Sequence, residues 1–164
     1  MTAAPAQVVA CLAFGSNLGD RERHIHQALA ALAAGPAVTV LRVSRLYETP
    51  PWGPVAQGRY LNACAAVSTT LSPRALLDLC LAVERAGGRE RLVRWGPRTL
   101  DIDVLTYGDV KLAEPDLVIP HPRMMERAFV LVPLIDVAPD LVVNGEPVAA
   151  ALARLDRSDI VEWL

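Results

Sequence analysis

TLDIDVLTYG, residues 99–108, alternates apolar and polar side chains with a period of two, the pattern of a strand with one buried face. Leu100, Ile102 and Val104 then point into a core, while Asp101 and Asp103 share the other face about 7 Å apart. Upstream, Ser72-Pro73 opens a helix with proline at its first position, and Gly87-Gly88 ends it. Before it, YLNACAAVSTT (60–70) reads as a strand, and another runs from Val38 to about Glu48. Asp20 caps a helix rich in alanine and leucine that Gly35-Pro36 stops, and QVVACLAFG before it is a buried strand. The order is therefore βαββαβ, followed by a proline-punctuated AEPDLVIPHP, one or two short helices in RMMERAFVLVPLIDVAP, a final helix over Val148–Leu155 and a polar stretch. This order predicts an α+β fold with a ferredoxin-like βαββαβ core, a mainly antiparallel sheet and helices on one face. The opposite face is then free for a site. No repeat or low-complexity linker divides the chain, so a single domain over residues 1–164 is expected.

Composition excludes several classes. The 164 residues are 52% hydrophobic and 21% charged, which is incompatible with wholesale disorder. The formal charge of −2 provides no global field for nucleic acid or anionic lipid, so neither is expected as a partner. No signal peptide, spanning helix or lipidation motif is read, and a cytoplasmic monomer is the expectation. Cys11, Cys64 and Cys80 are far apart and sit among apolar neighbours, so they read as buried small hydrophobes rather than zinc ligands.

The residues that can carry chemistry fall into two groups. Two adjacent carboxylates repel unless protonated or bridged by cations, and hard oxygen donors suit Mg²⁺ together with substrate phosphates. Just upstream of Asp101 and Asp103 lie Arg85, Arg89, Arg91, Arg94 and Arg98, in a stretch begun by two glycines. Guanidinium groups hold phosphates by forked hydrogen bonds, and an acidic pair beside them can hold a phosphate-bridging metal. Trp95, in the same stretch, either closes over a ligand or pins the loop. The second group is Thr49-Pro50-Pro51-Trp52-Gly53-Pro54, a stiff wall, followed by Tyr60 and Asn62 on one face of the next strand. An aromatic platform beside an amide suits a flat polar heterocycle; the alternative is a core-edge tyrosine with asparagine in a turn. GSNLGD (15–20) fits neither a Walker A loop nor GxGxxG and reads as a turn and cap. His121, between two prolines, admits either a structural role or a phosphate contact. His24 and His26 read as surface residues, and the absence of GxSxG gives serine hydrolase chemistry no support.

Taken together, GSNLGD, YETPPWGP before YLN, RWGPRTLDIDVL and IPHPRMMERAFVLVPL resemble the 6-hydroxymethyl-7,8-dihydropterin pyrophosphokinase family over about residues 8–139. The resemblance implies transfer of diphosphate from ATP to the pterin hydroxymethyl group, releasing AMP, with two Mg²⁺ ions held by Asp101 and Asp103. It implies ATP and 6-hydroxymethyl-7,8-dihydropterin as the small-molecule substrates. Tyr60 and Phe129 match the rings that sandwich the pterin; Thr49, Asn62 and the backbone near Pro51 and Trp52 match groups at its edge. Glu84, Arg89, Arg91, Trp95, Arg98, His121 and Arg127 match nucleotide-binding positions, with Arg89 and Arg98 also placed at the reacting phosphates. From the residues alone, Phe129 would be assigned to the core. Asp116 and Val118 depart from an arginine and a hydroxyl residue found in some members, where Arg123 is the candidate substitute. Two other readings compete. An RNA-binding module predicts RNP1 and a basic sheet face, whereas the alternating strand presents two aspartates. An inactive relative sits poorly with the acidic pair and the loop arginines.

Overall fold

The computed structural model describes residues 6–51, 57–87 and 99–164. Trp52, Arg89, Arg91, Trp95 and Arg98 fall outside them. Strand β1 (Val8–Ser16) is followed by α1 (Arg21–Ala33), β2 (Val38–Val43), β3 (Tyr47–Thr49), β4 (Tyr60–Thr69), α2 (Pro73–Ala86) and β5 (Asp101–Tyr107). A hairpin of β6 (Leu112–Glu114) and β7 (Leu117–Ile119) comes next, then a 3-10 turn at Met124–Glu126 and α3 (Ala128–Val137). The chain continues through β8 (Val142–Val143), β9 (Glu146–Pro147) and α4 (Val148–Ala153) to β10 (Val161–Glu162).

The main sheet has the order β10-β3-β4-β1-β5, with β2 also paired to β4, and every pairing is antiparallel. The helices begin as the sequence dictates. Asp20 accepts from the Arg23 amide and Ser72 from the Ala75 amide, each satisfying a donor that the first turn leaves open. The expected second strand is in fact two, β2 and β3. Between them Ser44 turns inward: its amide donates to the Cys64 carbonyl, and its hydroxyl accepts from the Cys64 amide and donates to the Arg45 carbonyl.

Alternation along the strands builds two cores. Leu12, Phe14, Leu61, Ala63, Ala65, Ile102 and Val104 face α1 and α2, meeting Ile25, Leu32, Leu76, Cys80 and Val83. The intervening residues, Cys11, Cys64, Ala66 and Leu105, face the other way and meet Val130, Leu131 and Leu134 of α3 and Val148, Ala151 and Leu152 of α4. Helices therefore cover both faces of the sheet, not one as expected. The reason is that α3 is apolar on nearly every side, with Val130, Leu131, Pro133, Leu134 and Val137 all buried, and needs a sheet face of its own. All three cysteines are buried and unbridged, and burial pushes each thiol above its ordinary pKa, Cys80 to about 12.

Candidate active site

The second face is only partly covered. Beside the N-terminal end of α3, the ends of β1, β4 and β5 line a cleft of about 1010 Å³. Its floor is set by strand register. Gly15 on the central strand β1 lies opposite Asn62 on β4 and Asp101 on β5; one step along, Ala13 lies opposite Cys64 and Asp103. Two strand spacings separate the Asn62 and Asp101 backbones, about 10 Å. The central strand carries only a hydrogen and a methyl group there, so the floor is low between an amide at one end and two carboxylates at the other. A Cβ on Gly15 would stand 3.1 Å from Asn62 Oδ1 and 3.4 Å from Tyr60 Cδ1. Gly15 thus sits inside β1 and admits a close approach, instead of opening the turn that follows. Gly19, at φ +66°, does the turning, and Asp20 the capping.

At the amide end, Tyr60, Asn62, Thr49, Pro50 and Phe129 line the cleft. Asn62 is buried and donates from Nδ2 to the Thr49 hydroxyl, which leaves its carbonyl oxygen beside Gly15. It lies in mid-strand, so the turn alternative does not hold. Pro50, from the stiff stretch read in the sequence, lines the cleft on this side. Phe129 is half-buried: it packs against the second core and also faces the cleft, beneath the Arg127 guanidinium carbon 5.7 Å from its ring centre. Reading it as core alone accounts for only one side of the ring.

At the acidic end, Asp101, Asp103, Glu84, Arg85, His121, Arg123 and Arg127 come together. Glu84 is 3% exposed and accepts the Ile102 amide at 3.3 Å, tying α2 to the residue between the two aspartates. His121 is fixed by its backbone, whose amide donates to the Leu105 carbonyl at 2.8 Å, and by its Nδ1, which accepts from the Arg123 amide at 3.2 Å. That bond leaves the ring proton on Nε2. Burial, then the Arg127 and Arg123 charges, push the His121 pKa down to about 4, so the ring is a neutral donor near neutral pH. Burial also pulls Arg127 below its ordinary value, while the Asp103 charge pulls it back. Cations and carboxylates are thus interleaved, an environment suited to an anionic ligand carrying its own counter-cations. The donor set fits Mg²⁺, since two carboxylates on one strand face supply the hard oxygens and leave the remaining positions for phosphate. Asp116 also lines the cleft, and Arg74 neutralises it at 2.7 Å, holding its carboxyl below the usual range.

Sequence reasoning missed Gly15 and Ala13 as floor residues and Asn17 as a brace. Asn17 Nδ2 donates to Gln57 Oε1 at 2.8 Å and the Gly58 carbonyl at 3.0 Å, anchoring the segment before Tyr60. Small residues at alternate positions of a central strand were the available signal.

An α+β fold with an open patch of sheet, polar at one end and charged at the other, defines a class of two-ended small-molecule sites. A family model for 7,8-dihydro-6-hydroxymethylpterin-pyrophosphokinase matches residues 11–139, and the chain belongs to that family. It is 50% identical over 151 residues to 2-amino-4-hydroxy-6-hydroxymethyldihydropteridine pyrophosphokinase of Methylorubrum extorquens, covering 92% of this chain and 96% of that protein. To the Bacillus subtilis protein of the same name it is 46% identical over 155 residues, covering 94% and 90%. Among solved structures it is similar to Plasmodium falciparum HPPK-DHPS in the wild-type form with pteroate, at TM-score 0.71 and 15% identity. That match covers 94% of this chain but 43% of the Plasmodium chain, so this protein spans less than half of that longer one.

Proposed function

We propose that the protein transfers diphosphate from ATP to the hydroxymethyl group of 6-hydroxymethyl-7,8-dihydropterin, giving AMP and the pterin diphosphate, a step of folate biosynthesis. The observation that carries this reading is the row Asn62–Gly15–Asp101, which sets a heterocycle-edge amide and an acidic pair on one open floor. The pterin lies between Tyr60 and Phe129, its edge against Asn62 and Thr49. The triphosphate lies toward Asp101 and Asp103, with His121 donating from Nε2 and Arg127 and Arg123 adding charge. Arg89, Arg91, Trp95 and Arg98, outside the described residues, belong to the same end in this reading, as Trp52 belongs to the pterin wall. The pterin hydroxymethyl oxygen attacks the β-phosphorus in line; its bond to phosphorus forms as the bond to the bridging oxygen of AMP breaks, and the hydroxyl proton passes to solvent. Such a transfer needs positioning and charge neutralisation more than covalent help. Asp101 and Asp103 would hold two Mg²⁺ ions, which when bound polarise and neutralise phosphate oxygens. Asn62 and Tyr60 orient the nucleophile, and the arginines and His121 orient the leaving AMP and the transferred group.

The proposal includes a ferredoxin-like βαββαβ core and a single-domain, cytoplasmic monomer. The antiparallel sheet order supports the first, and a single species of about 18 kDa by sedimentation would support the monomer. Among the described residues no helix is long and apolar enough to cross a membrane. Phosphorus NMR of protein, Mg²⁺, ATP and the reduced pterin tests the reaction. AMP with a new pterin diphosphate, absent without pterin or without metal, is the expected result; ADP would overturn it.

A further inference from the structure

The last residues of the chain, beyond the family match, reach back to the amide end of the cleft. Strand β10 adds to the outer side of β3, with Val161 opposite Glu48 and Glu162 opposite Tyr47, and the Trp163 amide donates to the Leu46 carbonyl at 2.8 Å. Strand β3 is three residues long and ends at Thr49, the partner of Asn62. Against the Glu48 side chain of this strand stands Arg21, the first residue of α1. One nitrogen of its guanidinium bonds Glu48 at 2.8 Å and the other bonds the Arg59 carbonyl at 3.0 Å. Glu48 precedes Thr49, and Arg59 precedes Tyr60, so one fork joins the residues next to two that line the cleft. Trp163 lies over that guanidinium, 5.0 Å from ring centre to the central carbon, and its indole nitrogen donates to Glu22 at 3.4 Å. A cation at the first position of a helix opposes the helix dipole, so its place is not explained by α1 itself. Arg59 adds a second bond to Glu48 at 3.2 Å and reaches the Asp159 carbonyl at 2.8 Å.

We infer that Arg21, covered by Trp163, is a positioning residue for pterin recognition: it ties Glu48 to Arg59 and so sets the neighbouring Thr49 and Tyr60 against Asn62. The inference rests on the cleft being the pterin site. A lysine at position 21 keeps the charge but loses the planar fork that presents two separate nitrogens to the two partners, and a phenylalanine at 163 keeps the ring face.

The test compares wild type, Arg21→Lys, Trp163→Phe and Trp163→Ala by the KM for pterin, the KM for ATP and thermal unfolding. Amide hydrogen exchange over residues 47–49 and 60–62 is followed without ligand. Arg21→Lys is expected to raise the pterin KM on the order of tenfold, with the ATP KM within about twofold, and to speed exchange in those residues. Trp163→Ala should do the same to a lesser degree, and Trp163→Phe should stay near wild type. Unchanged pterin KM and exchange in Arg21→Lys would overturn the clasp. So would a rise in both KM values together with a fall in melting temperature, which marks general loosening. If wild type turns over no pterin, the reading of the cleft fails by itself; exchange then judges the clasp, and unaltered exchange in Arg21→Lys overturns it.

Discussion

The two faces of the sheet are made by the same strands, yet they are filled differently. The face toward α1 and α2 carries Leu12, Phe14, Leu61, Ile102 and Val104, side chains large enough to close-pack against two helices. On β1 and β4 the face toward α3 carries Cys11, Ala13, Gly15, Cys64 and Ala66. Small residues on that side let α3 approach closely at one end and leave a trough at the other. Side-chain volume, switched every second residue, therefore decides which side becomes interior and where the interior stops. Ile102 and its neighbour Asp103 are the sharpest case: adjacent residues, one in the core and the other in the cleft.

Substitutions at that pair should separate the faces most. Asp103→Ala is expected to lower turnover on the order of 10³-fold or more, with pterin affinity much less affected and stability within about 0.5 kcal/mol. AMP formation, pterin binding and thermal unfolding, measured on one preparation, check this; near wild-type turnover would remove Asp103 from the reacting end. Ile102→Ala should do the reverse. Ile102 is 4% exposed, and truncating it should cost about 2–5 kcal/mol, read as a drop in the unfolding midpoint. If the two variants lose stability equally, the division between faces fails. Gly15→Ala probes the floor itself: its methyl group meets Asn62 Oδ1 at 3.1 Å, and the pterin KM should rise on the order of tenfold while the ATP KM holds. A crystal structure with Asn62 unmoved would contradict that.

The smallest effect concerns pH. His121 has its pKa pushed to about 4 in the fold against an ordinary 6.5. As pH falls from 6.5 toward 4, the unfolded chain takes up this proton and the folded chain does not, so stability is lost across that window and is fully present above it. His121→Asn removes this dependence. The melting temperature of wild type should therefore fall more than that of the variant between pH 7.5 and pH 5. Parallel curves would mean that His121 protonates equally in both states.

Much of this was legible in the chain. The acidic pair could be read from TLDIDVL because period two puts both carboxylates on one face whatever surrounds the strand. The caps at Asp20 and Ser72 are equally local, and the structure contains both. What escaped depends on distant partners. Ser44 breaks an otherwise continuous strand through bonds to Cys64, twenty residues on. Strand β10 has two paired residues and no periodicity; it exists because β3 offers an open side. RMMERAFVLVPLIDVAP reads as one or two short helices but does not tell which face of the sheet α3 covers, and Phe129 has one side in each environment.

Among the described residues the outer side of β5 ends the main sheet, and an unpaired strand at such a margin invites another chain to pair with it. Here that margin is already occupied. The Glu84 carboxylate takes the Ile102 amide, and the His121 amide takes the Leu105 carbonyl. Asp101 and Asp103 add like charges that a second copy of β5 would have to face. The groups gathered for ligand chemistry also deny a template to growing aggregates, so this border should contribute to colloidal solubility even when no substrate is bound.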